Sequence, residues 1–88
     1  MNLNTINEIA SELFFALKNQ ETIQPLSERY EEIDINDAYQ ISRKFLSLRV
    51  DKGETVIGKK IGVTSPVVQE MLGVNQPDFG FLTDKMFV

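Results

Sequence analysis

The chain has 88 residues, 42% hydrophobic and 25% charged, with 9 Lys and Arg against 13 Asp and Glu for a formal net charge of -4. That size allows one domain at most, burying about 60 to 65% of its unfolded surface, and the acidic balance counts against nucleic acid, which needs a clustered basic surface. The sequence holds no cysteine and no histidine, which excludes disulfides, thiolate zinc sites and the usual imidazole base, so a metal here would be a hard cation held by carboxylates.

No apolar run approaches the ~20 residues of a membrane span, and the early Glu8 and Glu12 break the layout of a signal peptide. The expectation is a cytoplasmic protein without a membrane partner. Ile6, Ile9, Ala10, Leu13, Phe14 and Leu17 follow the i, i+3, i+4, i+7 rhythm of an amphipathic helix and predict one over 5–19. Asn4 or Thr5 supplies its N-cap, and Lys18 complements its C-terminal dipole. Residues 20–34 keep no period, and Pro25 biases Gln24 towards extended geometry, so this stretch reads as an arm laid over the helices through Ile23, Leu26 and Tyr30. The adjacent Glu31 and Glu32 fit a solvated loop. A second helix is predicted over 36–52, with Asn36 as N-cap, Asp37 in the first turn, Ala38, Ile41, Phe45 and Leu48 on one stripe, and Gly53 as left-handed terminator. Two such stripes are most simply buried against each other.

From 55 to 64 the period changes to that of a strand. Alternation puts Ile57, Lys59, Ile61 and Val63 on one face, mostly apolar and expected to pack inwards, and Val56, Gly58, Lys60, Gly62 and Thr64 on the other. Ser65 followed by Pro66 opens a short helix over 66–72 that ends at Gly73. Beyond the loop at 75–80, residues 81–87 read as a terminal strand with no visible partner in the chain. The fold class is α+β: a helical pair, then a strand, a short helix and a terminal strand, in one domain over 1–88.

Strand glycines often mark where a ligand or another backbone must come close. Gly58 and Gly62 flank Lys60 on its own face, which favours Lys60 over Lys59 as a fixed cation for an anion, beside the plainer reading of a solvated strand lysine. Pro77-Asp78-Phe79-Gly80 suits an ordinary turn and equally a turn that presents the Asp78 carboxylate. The junction of Thr64, Ser65 and Pro66 exposes N–H groups that can hold a carboxylate, a common signal. Neither a phosphate-binding Gly-x-x-x-x-Gly-Lys loop nor a Gly-x-Ser-x-Gly elbow is present.

Taken together, the runs Gly58-Lys59-Lys60-Ile61-Gly62-Val63-Thr64-Ser65, Val68-Gln69-Glu70-Met71-Leu72-Gly73-Val74 and Gln76-Pro77-Asp78-Phe79-Gly80 closely resemble the N-terminal part of the 2-hydroxypenta-2,4-dienoate (2-oxopent-4-enoate, 2-keto-4-pentenoate) hydratases of the fumarylacetoacetate hydrolase superfamily. Thr22-Ile23-Gln24-Pro25-Leu26 and Asp37-Ala38-Tyr39-Gln40-Ile41 extend the likeness over nearly the whole chain. The resemblance implies a hydro-lyase of meta-cleavage aromatic catabolism that adds water to the dienol of a 2-oxo acid to give 4-hydroxy-2-oxopentanoate. It implies a Mg2+ or Mn2+ cofactor, with Lys60 and Asp78 as catalytic residues and Gly62, Thr64, Ser65 and Leu72 lining the substrate. In that family the metal carboxylates, a Glu-x-Glu pair and a further acid, belong to a barrel-like C-terminal domain, and no counterpart lies in these residues. The chain is therefore expected to be the N-terminal portion of such a hydratase, to hold no metal itself and to be inactive alone. The implied partners are the small 2-oxo acid, further copies of the parent and its sister decarboxylase. Two alternatives remain at this level: the sister 2-oxo-3-hexenedioate (4-oxalocrotonate) decarboxylase, and a stand-alone interaction module whose terminal strand pairs with another chain.

Overall fold

The computed structural model describes residues 1–86; Phe87, the last residue of the strand expected over 81–87, lies outside the described residues. Seven elements follow in order: α1 (Leu3–Asn19), α2 (Leu26–Arg29), α3 (Ile35–Asp51), β1 (Val56–Gly62), α4 (Pro66–Met71), β2 (Asp78–Thr83) and a 3₁₀ turn over Asp84–Met86. The fold is α+β. It divides into a helical unit, Met1–Gly53, and a second unit that begins at Glu54. Among the described residues no helix is long and apolar enough to cross a membrane.

In the helical unit α1 packs on α3, and Ile6, Ile9, Ala10 and Ile41 form the buried centre. Leu13, Leu26, Tyr30, Ile33, Phe45 and Leu48 close round it. Helix α1 begins earlier than expected because the Asn2 side chain, rather than Asn4 or Thr5, caps it, accepting from the Thr5 N–H at 2.8 Å. It ends on Gln20 in the left-handed conformation, φ 57, where the Glu21 and Gln20 N–H groups close back on the Ala16 and Leu17 carbonyls. Helix α3 likewise starts before the expected Asn36. Asp34 accepts from the Asp37 N–H at 2.7 Å, and Asp37 accepts from the Asp34 N–H at 3.2 Å. This reciprocal box satisfies two end donors. It turns Asp37 inwards, where the α-ammonium of Met1 approaches it to 3.5 Å. Ala38, expected on the core stripe, is exposed instead, and the buried position one turn before Ile41 is held by Asp37.

The arm between them is not wholly irregular, since one helical turn, α2, follows Pro25 and closes with the Tyr30 N–H on the Leu26 carbonyl at 2.8 Å. Leu26 and Tyr30 pack on the core as the sequence predicts, joined by Ile33 rather than Ile23. Arg29 ties the arm to α1, its Nη1 lying 2.7 and 3.0 Å from the two carboxylate oxygens of Glu12. That bond raises the Arg29 pKa above its ordinary value.

The second unit corrects the expectation of a partnerless strand. Strand β2 starts at Asp78 and pairs antiparallel with β1, in the register Gly62↔Asp78, Ile61↔Phe79, Lys60↔Gly80, Lys59↔Phe81 and Gly58↔Leu82. The pairing depends on α4 and its flanking turns reversing the chain, which no local pattern announces. An irregularity between Val56 and Gly58 leaves Ile57 as the extra residue of a bulge, so strict alternation fails there. A two-stranded sheet is marginal alone, and its open end is stitched. The Thr55 N–H donates to Asp84 Oδ1 at 2.9 Å, the Asp84 N–H donates to the Thr55 carbonyl at 3.0 Å, and the buried Thr83 hydroxyl donates to Glu54 at 2.6 Å. The face expected to pack inwards does not: Ile61 and Phe79 are 60% and 52% exposed. One sheet layer and a six-residue helix supply no second layer to cover it.

Candidate functional site

The register of β1 and β2 gathers Lys60, Gly62, Asp78 and Gly80 on one face of the sheet. Lys60 stands opposite Gly80 and Gly62 opposite Asp78, so Lys60 and Asp78 are diagonal neighbours, about 7–8 Å apart and within reach of a long side chain. Both are exposed. Lys59 lies on the opposite face across from Phe81. Its Nζ is 5.7 Å from the ring centroid, a cation–π contact that gives it a structural partner.

Sequence alternation pointed to Gly58 and Gly62 as the residues that clear space for Lys60, but a Cβ at either would meet nothing within 4 Å. The close approach is at Gly80. A Cβ there would come within 2.8 Å of Lys60 Cε and 3.2 Å of Cγ, so the lysine stem runs across the strand over the bare Gly80 backbone. Gly80 stood in the Pro77-Asp78-Phe79-Gly80 motif, yet only the pairing with β1 places it under the lysine.

Strand β1 stops at Gly62. Val63 has a φ of 56, an outlier for a β-branched side chain that costs about 1–3 kcal/mol. Alternation therefore does not carry through to Thr64, which belongs to the connection into α4 and not to the Lys60 face of the strand. Ser65 is the N-cap of α4 with Pro66 behind it, but its side chain makes no capping hydrogen bond. The Gln69 side chain, partly buried, donates from Nε2 to the Val63 carbonyl at 2.9 Å. The Gln69 N–H donates to the Ser65 carbonyl at 2.9 Å, and the Gln69 carbonyl accepts from Val74 at 2.9 Å. That last bond, with the Gly73 N–H on the Glu70 carbonyl at 3.1 Å, is the helix-ending motif that requires the left-handed Gly73, φ 72. Leu72, at the far end of α4, stands about 10 Å of helical rise from Ser65 and is 62% exposed.

Of the sequence-predicted residues, the fold thus brings Lys60, Gly62 and Asp78 onto one face, follows them directly with Thr64 and Ser65, and leaves Leu72 a helix length away. Gly80 and Gln69 were missed. An ammonium lying over a cleared strand, with a carboxylate diagonal to it and two hydroxyl residues at the strand's exit, can neutralise an anion and orient a water molecule. Among the described residues no group of three or more Asp or Glu side chains gathers to hold a metal ion. A cleft in the helical unit, lined by Thr5, Tyr30, Glu32, Asp34 and Asp37 among others, contains none of these residues.

No family model matches the chain. It is 55% identical over 86 residues to the 2-hydroxypent-2,4-dienoate hydratase of Pseudomonas putida, covering 98% of this chain and 39% of that protein. It is 57% identical over 74 residues to the 2-hydroxyhexa-2,4-dienoate hydratase of Comamonas testosteroni, covering 84% of this chain and 28% of that protein. In structure it matches the 4-oxalocrotonate decarboxylase of Pseudomonas putida G7, solved with magnesium and adipate, with a TM-score of 0.87 at 25% identity over 97% of this chain and 32% of that one. The same decarboxylase solved with calcium and acetate matches equally, at a TM-score of 0.87. The chain spans only about a third of the length of these proteins, 28% to 39%.

Proposed function

Because the chain belongs by sequence to the family of the 2-hydroxypent-2,4-dienoate and 2-keto-4-pentenoate hydratases, we propose that it is the N-terminal part of such a hydro-lyase, within the fumarylacetoacetate hydrolase superfamily. The proposed substrate is 2-hydroxypenta-2,4-dienoate, hydrated to 4-hydroxy-2-oxopentanoate in the cytoplasm as a step of meta-cleavage aromatic catabolism. The observation that carries the reading is the shared face of Lys60, Gly62 and Asp78 within a chain 55% identical to a named hydratase.

In this reading the Lys60 ammonium neutralises the anionic 2-oxo acid and polarises its oxo group. Electrostatic stabilisation of that kind, from a preorganised donor, is usually the largest catalytic contribution. Asp78, diagonal to it, accepts a hydrogen bond from the attacking water or relays its proton. Gly62 leaves the strand open beside them, and Thr64 and Ser65 line the substrate, with Leu72 a helix length further off. The cofactor would be Mg2+ or Mn2+, which supplies a Lewis acid for the oxo acid when bound. The described residues do not form a seat for it. Self-association and pairing with a sister decarboxylase belong to the same proposal and are checked by sedimentation of the two proteins.

The test is a hybrid in which this chain replaces the matched segment of the Pseudomonas putida hydratase. The hybrid is expected to consume 2-hydroxypenta-2,4-dienoate, and Lys60→Ala to lower kcat/KM by about 10²-fold or more with the melting curve unchanged. Unchanged kinetics in that variant would refute the assignment. The decarboxylase reading rests on the structural likeness to 4-oxalocrotonate decarboxylase; carbon dioxide release from 2-oxo-3-hexenedioate by the hybrid, without hydration of the dienoate, would favour it.

A further inference from the structure

Three features converge on the exit of β1. Val63 occupies a left-handed conformation that its branched side chain disfavours. The next two residues, Thr64 and Ser65, are among those proposed to line the substrate. One side chain from α4, Gln69, holds the Val63 carbonyl at 2.9 Å while its own backbone bonds both Ser65 and Val74 at 2.9 Å. We infer that Gln69 is a positioning residue, which locks the left-handed turn at Val63 and so fixes the direction in which Thr64 and Ser65 leave the Lys60 strand. The inference rests on the proposed hydratase function for its kinetic consequence, and not for the clamp itself.

The chemistry favours glutamine here. Its carboxamide N–H₂ supplies the donor that a backbone carbonyl needs, whereas a carboxylate offers only acceptors. An unclamped Val63 relaxes towards the extended region that β-branched residues prefer, and the chain direction at Thr64 changes with it. Displacements of about 1 Å at positioning groups cost about 10²-fold in rate. Gln69 itself touches no reacting atom in this scheme; it acts through Val63.

Two experiments separate the clamp from the function. In the 88-residue chain, nuclear magnetic resonance is expected to show the strong intraresidue amide-to-Hα contact of a positive φ at Val63, and Gln69→Leu to weaken it. If Gln69→Leu leaves that signal unchanged, the clamp is overturned whatever the chain does chemically. In the hybrid hydratase, Gln69→Leu is expected to lower kcat/KM by about 10²-fold. Val63→Gly in the same background is expected to recover at least about tenfold, since glycine takes a positive φ without steric cost. A purely structural loss at Gln69 would not be rescued by a glycine at Val63, so equal losses in both backgrounds overturn the positioning role. An unmutated hybrid that is inactive refutes the hydratase function, and the magnetic resonance result then decides the clamp alone.

Discussion

Gly80→Ala is expected to separate activity from stability. The added methyl would sit 2.8 Å from Lys60 Cε, 3.2 Å from Cγ and 3.6 Å from Cδ. Comfortable carbon contacts lie at about 3.5–4.0 Å, so the lysine stem must retreat by about 1 Å and carry its ammonium with it. The backbone has no reason to yield first, because the clashing atoms are the flexible part of an exposed side chain. Alanine within a strand is more favourable than glycine by roughly 0.5–1 kcal/mol, so the variant should melt no lower than its parent, and up to about 4 °C higher in a hybrid of which this chain is about a third. Misplacing the cation by about 1 Å should cost about 10²-fold in kcat/KM. The assay is dienoate hydration by the hybrid enzyme alongside thermal melting, with Gly58→Ala as control, since a Cβ at Gly58 meets nothing within 4 Å. Gly80→Ala with activity within about twofold of the parent would refute the path drawn for Lys60, and equal losses in the two alanine variants would show that strand glycines matter for some other reason.

Other consequences are simpler to measure. Ile41→Ala removes a buried contact between α3 and α1 and should lower stability by about 2–5 kcal/mol in urea unfolding followed by circular dichroism; a loss below about 1 kcal/mol would mean that the helical core is not the one described. The Arg29 pKa is raised by its hydrogen bond to Glu12, so the stability linked to that proton is fully present below the unfolded value and lost only as pH climbs through the still higher folded one. The difference in melting temperature between the parent and Arg29→Met should therefore be the same at about pH 6 and about pH 8, and a narrowing across that range would contradict the sign.

How much was legible beforehand depended on whether the signal was local. The two long helices follow from apolar residues at helical spacing, and each begins earlier than that spacing predicts because Asn2 and Asp34 are the caps. Asp34 beat Asn36 because it could reciprocate with Asp37, a pairing visible in the sequence as acids three residues apart. The lysine, aspartate and Gly62 of the candidate site stand in a motif, while their placement on one face depends on the register.

Sequence alone determined the α1 and α3 helices and most of their stripes, Leu17 and Ala38 excepted, the strand that carries Lys60, the Ser65-Pro66 helix start and its Gly73 stop, because each is a matter of neighbours within one or two turns of chain. Tertiary structure decided which strand β1 pairs with, and hence that Asp78 lies diagonal to Lys60 and that Gly80 lies under its stem. It also decided that Val63 turns left-handed, ending the alternation before Thr64, and that Gln69 holds it there. The pairing depends on residues brought together across a reversed chain, and the turn at Val63 on a side-chain hydrogen bond from six residues further on; register and that bond outweigh the backbone preferences that a local pattern expresses.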